Sequence, residues 1–211
     1  MPATAKICGL STPDTLDAAI AGGASHLGFN FFASSPRHVA PDAAASLAAR
    51  APAQVGKVAV LVDPDETLVA RVIAAGMTAL QLHGAESPER VAALRRHGVE
   101  LWKVIPVRTR ADLADAAAYR GAADRILYDA KTPAGAALPG GMGLRFDWSL
   151  LDGFAHPLPW ALSGGLDAGN VAEAIARTGA RLVDVASGVE RAPGMKDPAL
   201  IAAFLKAVAA A

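Results

Sequence analysis

The sequence contains very little cysteine and no excess charge of either sign. A single cysteine, Cys8, occurs among 211 residues, so no disulfide can form within the chain. Lysine and arginine together number 20, as do aspartate and glutamate. This balance provides no overall positive field that would attract nucleic acid or an anionic membrane, and any anion site must therefore be local.

Long apolar runs are also missing. The run at 58–62 stops at Asp63 and Pro64, far short of the roughly 20 residues that a membrane helix needs. The first six residues lack the charged-then-apolar order of a signal peptide. We therefore expect a soluble, cytoplasmic protein that binds neither membrane nor nucleic acid.

What the chain does contain is a regular alternation of short apolar runs and helical segments. Hydrophobic residues make up 53% of the chain, which excludes disorder and suffices for one substantial core or two small ones. The apolar runs do not alternate with polar residues, which is typical of parallel strands buried on both faces. After a first strand ending at Cys8, strands are predicted over 26–32, 55–62, 79–82, 100–107, 125–128, 160–162 and 182–186. Helices are predicted over 14–21, 41–51, 65–75, 88–97, 110–119, 167–177 and 198–208, with a long loop at 131–144 and a helical turn near 147–151.

This order amounts to eight βα units with a period of roughly 25 residues. It predicts an α/β fold in which residues 1–211 form one (β/α)8 TIM barrel. A doubly wound open sheet is the alternative, because counts of strands and helices do not prove closure.

Two residues at strand ends are candidates for acid and base chemistry. Cys8 ends the first strand just before Gly9, where α/β folds place functional groups, although a lone cysteine is often only a small buried hydrophobe. Asp129 ends the sixth strand, just before the long loop. It could be a helix cap or a partner of Lys131, but opposite a thiol across a barrel mouth it would complete an acid/base pair.

Other candidates suit the two ends of an anionic ligand. Gly164 and Gly165 follow the seventh strand, and Ser187 and Gly188 follow the eighth, where bare backbone N–H groups can bind a phosphate. Taken alone, each glycine could simply allow a tight turn after its strand, without any ligand. Arg37 follows the second strand and is either a solvated arginine or a fork that grips a carboxylate.

The same residues resemble a known family, phosphoribosylanthranilate isomerase of tryptophan biosynthesis. The resemblance covers essentially the whole chain and rests on seven motifs in one order. They are Lys6-Ile7-Cys8-Gly9, Gly28-Phe29-Asn30-Phe31 with Ser35-Pro36-Arg37, Leu80-Gln81-Leu82-His83-Gly84, Leu127-Tyr128-Asp129, Gly140-Gly141 with Gly143 and Phe146-Asp147-Trp148, Ser163-Gly164-Gly165-Leu166, and Asp184 to Glu190. The sequence departs from the family pattern at Met142 and Ala186.

The resemblance implies a TIM barrel that performs an Amadori rearrangement of N-(5'-phosphoribosyl)anthranilate without a cofactor or a metal. In that reaction Asp129 would be the general acid that opens the ribose ring, and Cys8 the thiolate that takes a proton from the adjacent carbon. Arg37 would hold the anthranilate carboxylate. The turns at Gly164-Gly165 and Ser187-Gly188 would hold the phosphate.

Several alternatives stay open. The barrel could be the related sugar-phosphate isomerase of histidine biosynthesis, which uses two aspartates, or a non-catalytic binder of a phosphorylated small molecule. Cys8 stands where the histidine-pathway enzyme would carry an aspartate, which disfavours that reading. Lys6 either stabilises a Cys8 thiolate or pairs with Asp184, His83 is interpreted as structural or supporting, and the protein is either a monomer or a homodimer.

Overall fold

The strands of the computed structural model, which describes residues 2–133 and 140–211, form a closed parallel barrel. Neighbouring strands follow the chain order, and the first strand pairs with the eighth to complete the circle. The strands are β1 Thr4–Cys8, β2 His26–Asn30, β3 Gly56–Leu61, β4 Ala79–Leu82, β5 Glu100–Val107, β6 Arg125–Ala130, β7 Trp160–Leu162 and β8 Leu182–Val185. The predicted (β/α)8 barrel is confirmed. The open doubly wound sheet is wrong, because such a sheet would leave two strand edges unpaired.

Helices cover the outside of the barrel. They are α1 Pro13–Ala21, α2 Pro41–Ala48, α3 Glu66–Ala74, α4 Pro88–Leu94, α5 Val171–Thr178 and α6 Pro198–Ala209. Their amino termini follow ordinary capping chemistry. The Asp65 side chain accepts a hydrogen bond from the Leu68 N–H at 2.7 Å, and Ser87 caps α4 just before Pro88 at its first position.

Some connections differ from the predicted helices. The segment Arg110–Tyr119 is a 3₁₀ helix. Its buried side chains, Leu113 and Ala116, are three residues apart, which matches the 3₁₀ period of three rather than the α-helical stripe. The helix predicted from Asp167 begins only at Val171, because the Asp167 carboxylate accepts backbone N–H groups and holds a turn there. Short 3₁₀ segments also occupy Arg95–His97 and Trp148–Leu151.

The apolar side chains form two separate layers. One set packs between the barrel and its helices. The other fills the barrel interior and comprises Val58, Ala79, Trp102, Val104, Leu127, Ala161 and Leu182. The two sets separate because successive side chains of a strand point to opposite faces.

The interior stops being apolar toward the carboxyl ends of the strands. Inward positions there carry polar or reactive groups instead: Cys8, Asn30, Gln81, Asp129, Ser163 and Asp184. After β8 the chain adds a hairpin that the sequence analysis did not predict, formed by β9 Glu190–Ala192 and β10 Met195–Lys196. Within the described ranges no helix has the length and apolar character to cross a membrane.

Candidate active site

A pocket opens at the carboxyl ends of the strands, where a TIM barrel places its chemistry. Cys8 and Asp129 both line it, and so do Arg37, Gly164 and Ser187. Six of the loop residues predicted at 131–144, positions 134–139, lie outside the described residues. The barrel thus brings together candidates that are up to 179 positions apart in sequence.

Cys8 is a buried thiol at the end of β1. It is 7% exposed and faces the pocket. Burial raises the pKa of the Cys8 thiol above its usual value, while the Lys6 ammonium, which also hydrogen-bonds it, acts in the opposite direction. The site therefore holds a neutral thiol at rest, with a cation placed to stabilise the thiolate when it forms.

Asp129 has the electrostatics of a proton donor. Burial, reinforced by the negative charge of Asp184, raises its pKa to about 7. The Ala130 N–H donates to Oδ1 at 2.8 Å and opposes the shift. Asp129 lies within β6 rather than after it, because β6 continues to Ala130. The carboxyl is consequently half protonated near neutral pH.

His83 stands beside Asp129. Its Nε2 atom is 3.7 Å from Asp129 Oδ2, and it also lines the pocket. A Cβ atom at Gly140 would come within 2.6 Å of the His83 ring and 2.7 Å of Asp129 Oδ2, so the backbone of the loop packs closely on both. This position fits the supporting role predicted for His83.

Arg37 is not the solvated side chain that one reading of the sequence allowed. It is 5% exposed, and Nε and Nη2 both donate to the Glu190 carboxylate at 2.8 Å. Nη2 also donates to the Gly141 carbonyl at 2.9 Å. Lys196 completes the cluster by donating to Glu190 at 2.7 Å. The guanidinium is held rigidly at the pocket wall, with Nη1 as the nitrogen left without a hydrogen bond among the described residues.

The two glycine turns are built differently. Gly164 and Gly165 have φ of +91° and +62°, a left-handed backbone that favours glycine. A Cβ atom at Gly188 would lie 1.9 Å from the Leu166 carbonyl oxygen, so this glycine lets the two turns pack against each other. Ser187 begins a 3₁₀ turn, Ser187–Val189, and lines the pocket together with Gly164 and Gly165. The two turns are therefore adjacent, and phosphate binding by them stays a prediction.

Sequence reasoning missed two contributors. Glu190 and Lys196 belong to the β9–β10 hairpin, and no local pattern ties them to Arg37, which is 153 residues from Glu190. The pairing of Lys6 with Asp184, by contrast, was one of two readings and is observed at 2.8 Å. The alternation of inward positions along β8 is the signal that could have promoted Asp184 to a site residue.

In the portions of the chain that are described, no three His, Cys, Asp or Glu side chains are arranged to hold a metal ion. The polar groups of the pocket instead suit proton transfer and anion binding.

Comparison with known proteins places the chain. The family model described as N-(5'-phosphoribosyl)anthranilate (PRA) isomerase matches residues 5–207. The chain belongs to this family. An isomerase of this name from Zymomonas mobilis subsp. pomaceae is 57% identical over 210 residues, covering 99% of both chains. The family membership predicted from the motifs is confirmed.

Solved structures of the PRA isomerase family share the fold. The crystal structure of the enzyme from Thermotoga maritima gives a TM-score of 0.88 at 32% identity, covering 99% of this chain and 100% of that one. The structure of a phosphoribosyl anthranilate isomerase in complex with reduced 1-(o-carboxyphenylamino)-1-deoxyribulose 5-phosphate gives a TM-score of 0.86 at 30% identity, with the same coverage.

The raised pKa of Asp129 makes a prediction about stability. Because its pKa rises from 3.8 to about 7 on folding, the folded protein binds the extra proton between these values. Stability is therefore lost as the pH rises through this window, by roughly 4 kcal/mol. Asp129→Asn should remove that loss. The free energy of unfolding of the variant should therefore increase relative to that of the parent between pH 4 and pH 8. Urea unfolding at both pH values measures the difference.

A matched control is Asp112→Asn. Burial favours a higher pKa for Asp112, but backbone N–H groups of Thr109 and Arg108 hold that pKa below its usual value. The stabilisation from the Asp112 carboxylate is therefore fully present above about pH 4 and is lost only in more acidic solution, so the stability difference between this variant and the parent should stay constant between pH 4 and pH 8. Parallel pH dependence of the parent and Asp129→Asn would contradict the assignment.

Proposed function

We propose that the protein isomerises N-(5'-phosphoribosyl)anthranilate with Asp129 as general acid and Cys8 as general base. The isomerase function in tryptophan biosynthesis that the sequence predicted is confirmed by the family model and the full-length relatives. The assignment of roles rests on one observation: a thiol and a carboxyl with a pKa of about 7 line the same pocket.

The reaction needs one proton given and one taken. Asp129 donates its proton to the ribose ring oxygen as the bond from that oxygen to C1 breaks, which leaves an iminium at C1 and the nitrogen. Cys8 as thiolate then removes the proton from C2, and the resulting enolamine tautomerises to the ketone. Each transfer of this kind contributes roughly 10²–10⁴ to the rate. The two groups therefore account for opening of the ring and for removal of the C2 proton.

The protonation states of Asp129 and Cys8 in the free enzyme determine what fraction of the enzyme is ready to react. Asp129 is available as an acid near neutral pH because its pKa is about 7. Burial raises the pKa of Cys8, so the thiolate is a minor form. Catalysis then draws on a small population with thiolate and carboxylic acid together, rather than on a thiol made acidic by its surroundings.

The two ends of the substrate have separate anchors. We assign the phosphate to the turns at Gly164-Gly165 and Ser187-Gly188, whose backbone lies at one end of the pocket. We assign the anthranilate carboxylate to Arg37, which also lines the pocket and is held in place by Glu190. Anchoring both anionic ends places the sugar between acid and base and avoids the entropic cost of aligning them.

The remaining expectations are proposals of the same kind. Residues 1–211 would form one barrel domain that takes a small phosphorylated substrate and uses no cofactor or metal. The protein would be cytoplasmic, as a monomer or a homodimer. The histidine-pathway reading finds no support, since Cys8 stands at the end of β1 in place of an aspartate.

The acid and base assignments predict the effect of three substitutions. Cys8→Ala and Asp129→Asn should each lower kcat by roughly 10²–10⁴, because each removes a proton transfer. Cys8→Ser should fail too, since a hydroxyl does not ionise near neutral pH. A fluorescence assay of freshly made phosphoribosylanthranilate measures turnover. Affinity for the reduced product should persist, and near-parental turnover by Cys8→Ala would return the thiol to the role of a buried hydrophobe.

The guanidinium geometry predicts that Arg37 cannot be replaced by lysine. Arg37→Lys keeps the charge but loses the planar fork that binds Glu190 and a carboxylate at once. We expect KM for the substrate to rise at least tenfold for Arg37→Lys and further for Arg37→Ala. Steady-state kinetics measures this, and binding of inorganic phosphate, which has no aromatic carboxylate, serves as the unaffected control. Unchanged KM would make Arg37 a purely structural side chain.

The phosphate assignment is best tested at Ser187. Replacement of Gly164 is confounded, because a Cβ atom there would lie 3.0 Å from Asp129 Oδ1. Ser187→Ala should bind phosphate nearly as well as the parent, since the backbone N–H groups remain. Ser187→Asp should weaken binding sharply by repulsion between like charges. Calorimetric titration with inorganic phosphate separates the two, and equal affinity in Ser187→Asp would exclude this end of the pocket.

A further inference from the structure

A buried ion pair that the reaction itself does not use joins Lys6 to Asp184, which lines the pocket. Lys6 Nζ is 2.8 Å from Asp184 Oδ1, with side chains 0% and 5% exposed. Lys6 and Asp184 are direct partners in the register of β1 and β8, so both side chains point into the barrel. Burying two charges is costly, and an apolar pair of similar size often stabilises a fold at least as well. The pair therefore calls for a role beyond stability.

Each end of the pair faces a different member of the acid/base pair. Lys6 lies two residues before Cys8 on the same inward face of β1. A Cβ atom at Gly28 would lie 3.0 Å from Lys6 Nζ and 3.0 Å from Cys8 Cα, so this glycine leaves room for the ammonium beside the cysteine. The positive end is thus next to the thiol.

The negative end continues toward Asp129. Ser163 donates from Oγ to Asp184 Oδ2 at 3.2 Å. Ser163 also lies within hydrogen-bonding reach of Asp129, the inward residue at the end of the adjacent strand β6. Cys8, Lys6, Asp184, Ser163 and Asp129 therefore form one continuous buried row across β1, β8, β7 and β6, with positive charge near the thiol and negative charge near the carboxyl.

We propose that the Lys6–Asp184 ion pair acts as a fixed dipole that favours the combination of Cys8 thiolate and Asp129 carboxylic acid over the combination of thiol and carboxylate. The two combinations differ by one proton moved from Sγ to the carboxyl, so total proton count and net charge are the same. Lys6 and Asp184 are positioning residues, because Lys6 acts through Cys8 and Asp184 acts through Asp129. The inference rests on the proposed acid and base roles.

Electrostatics of the neighbouring groups agree with this geometry. For the thiol, the lowering effect of Lys6 exceeds the raising effect of Asp184, and Lys196 adds a smaller lowering effect to the pKa of Cys8. For the carboxyl, the raising effect of Asp184 exceeds the lowering effect of Lys6 on the pKa of Asp129. The nearer end of the dipole prevails at each site.

One further titratable group, His83, lies beside the row. His83 faces Asp129 Oδ2 at 3.7 Å from the end of β4. Burial opposes the charge of Lys6, but Asp184 and Cys8 together hold the pKa of its ammonium above the usual value. The positive end therefore stays charged across the working range of the enzyme.

The test replaces the pair by uncharged residues. Lys6→Met/Asp184→Asn removes both charges at once and leaves neither buried alone. Because the chain has a single cysteine, the ultraviolet absorbance of the thiolate reports Cys8 directly in the free protein. We expect the titration midpoint to move to higher pH than in the parent. An unchanged or lowered midpoint in the folded variant overturns the proposal.

The pH profile of kcat/KM gives a second readout that a purely structural role would not move. With acid and base in reversed protonation, the acid limb follows Asp129 and the alkaline limb follows Cys8, as apparent values of the coupled pair. Loss of the dipole should move the acid limb to lower pH and the alkaline limb to higher pH, while the plateau value of kcat/KM falls. A shift of one pH unit at each limb lowers that plateau value about 100-fold. A lower plateau with unmoved limbs overturns the proposal.

Control variants separate the proposed effect from a general loss of stability. Lys103→Met/Glu86→Gln removes another buried ion pair of the barrel, 2.7 Å long, and should leave both limbs where they are. If the first double variant does not fold, Lys6→Gln/Asp184→Asn tests the same loss of charge with a polar pair. The thiol titration requires no turnover, so it remains informative even if Cys8→Ala proves active and the proposed roles fail.

Discussion

The ladder between β1 and β8 is the contact on which the site depends. It joins the first strand to the eighth with the register Thr4 to Leu182 through Ile7 to Val185. Without it the sheet would be open, and Lys6 and Asp184, 178 positions apart, would not meet. Closure also turns the inward faces of all eight strands into a single enclosed space, whose apolar part is filled and whose carboxyl end is left for the ligand.

Two clusters of buried charge lie beside the pocket at the carboxyl ends of the strands. Lys6 with Asp184, and Arg37 with Glu190 and Lys196, are almost completely removed from solvent, yet each is paired at 2.7 to 2.8 Å. Pairing at this distance offsets desolvation, while the low-dielectric surroundings strengthen the field on neighbouring groups. The same burial that raises the pKa of Asp129 to about 7 strengthens the electrostatic effect of the nearby ion pairs on that pKa.

The hairpin after β8 shows how a small addition can complete a site. β9 and β10 together contain five residues, yet they bring Glu190 to Arg37 and Lys196 to Glu190. Two donor nitrogens of the guanidinium are thereby engaged by protein, so its orientation toward the pocket is set before any ligand arrives. Such pre-organisation lowers the entropic cost of binding an anion.

Much of this could be derived from the residues in order. Apolar runs broken by caps and glycines identify the strands and most helices, since these signals are local. Cys8, Asp129 and the two glycine turns could be singled out because the carboxyl end of a parallel strand is a known place for function. The motifs then indicated the family, because they can be recognised in the sequence without knowledge of the tertiary structure.

The tertiary structure alone decided how these residues act on one another. Nothing local in the sequence shows that Arg37 is clamped by Glu190 or that Asp184 reaches Asp129 through Ser163, because strand register and closure arise from packing of the whole chain. The balance between burial and neighbouring charge, which raises the pKa of both the Asp129 carboxyl and the Cys8 thiol, depends on distances that exist only after folding. Residue types and spacing determine which groups are present, and the closed barrel determines their protonation.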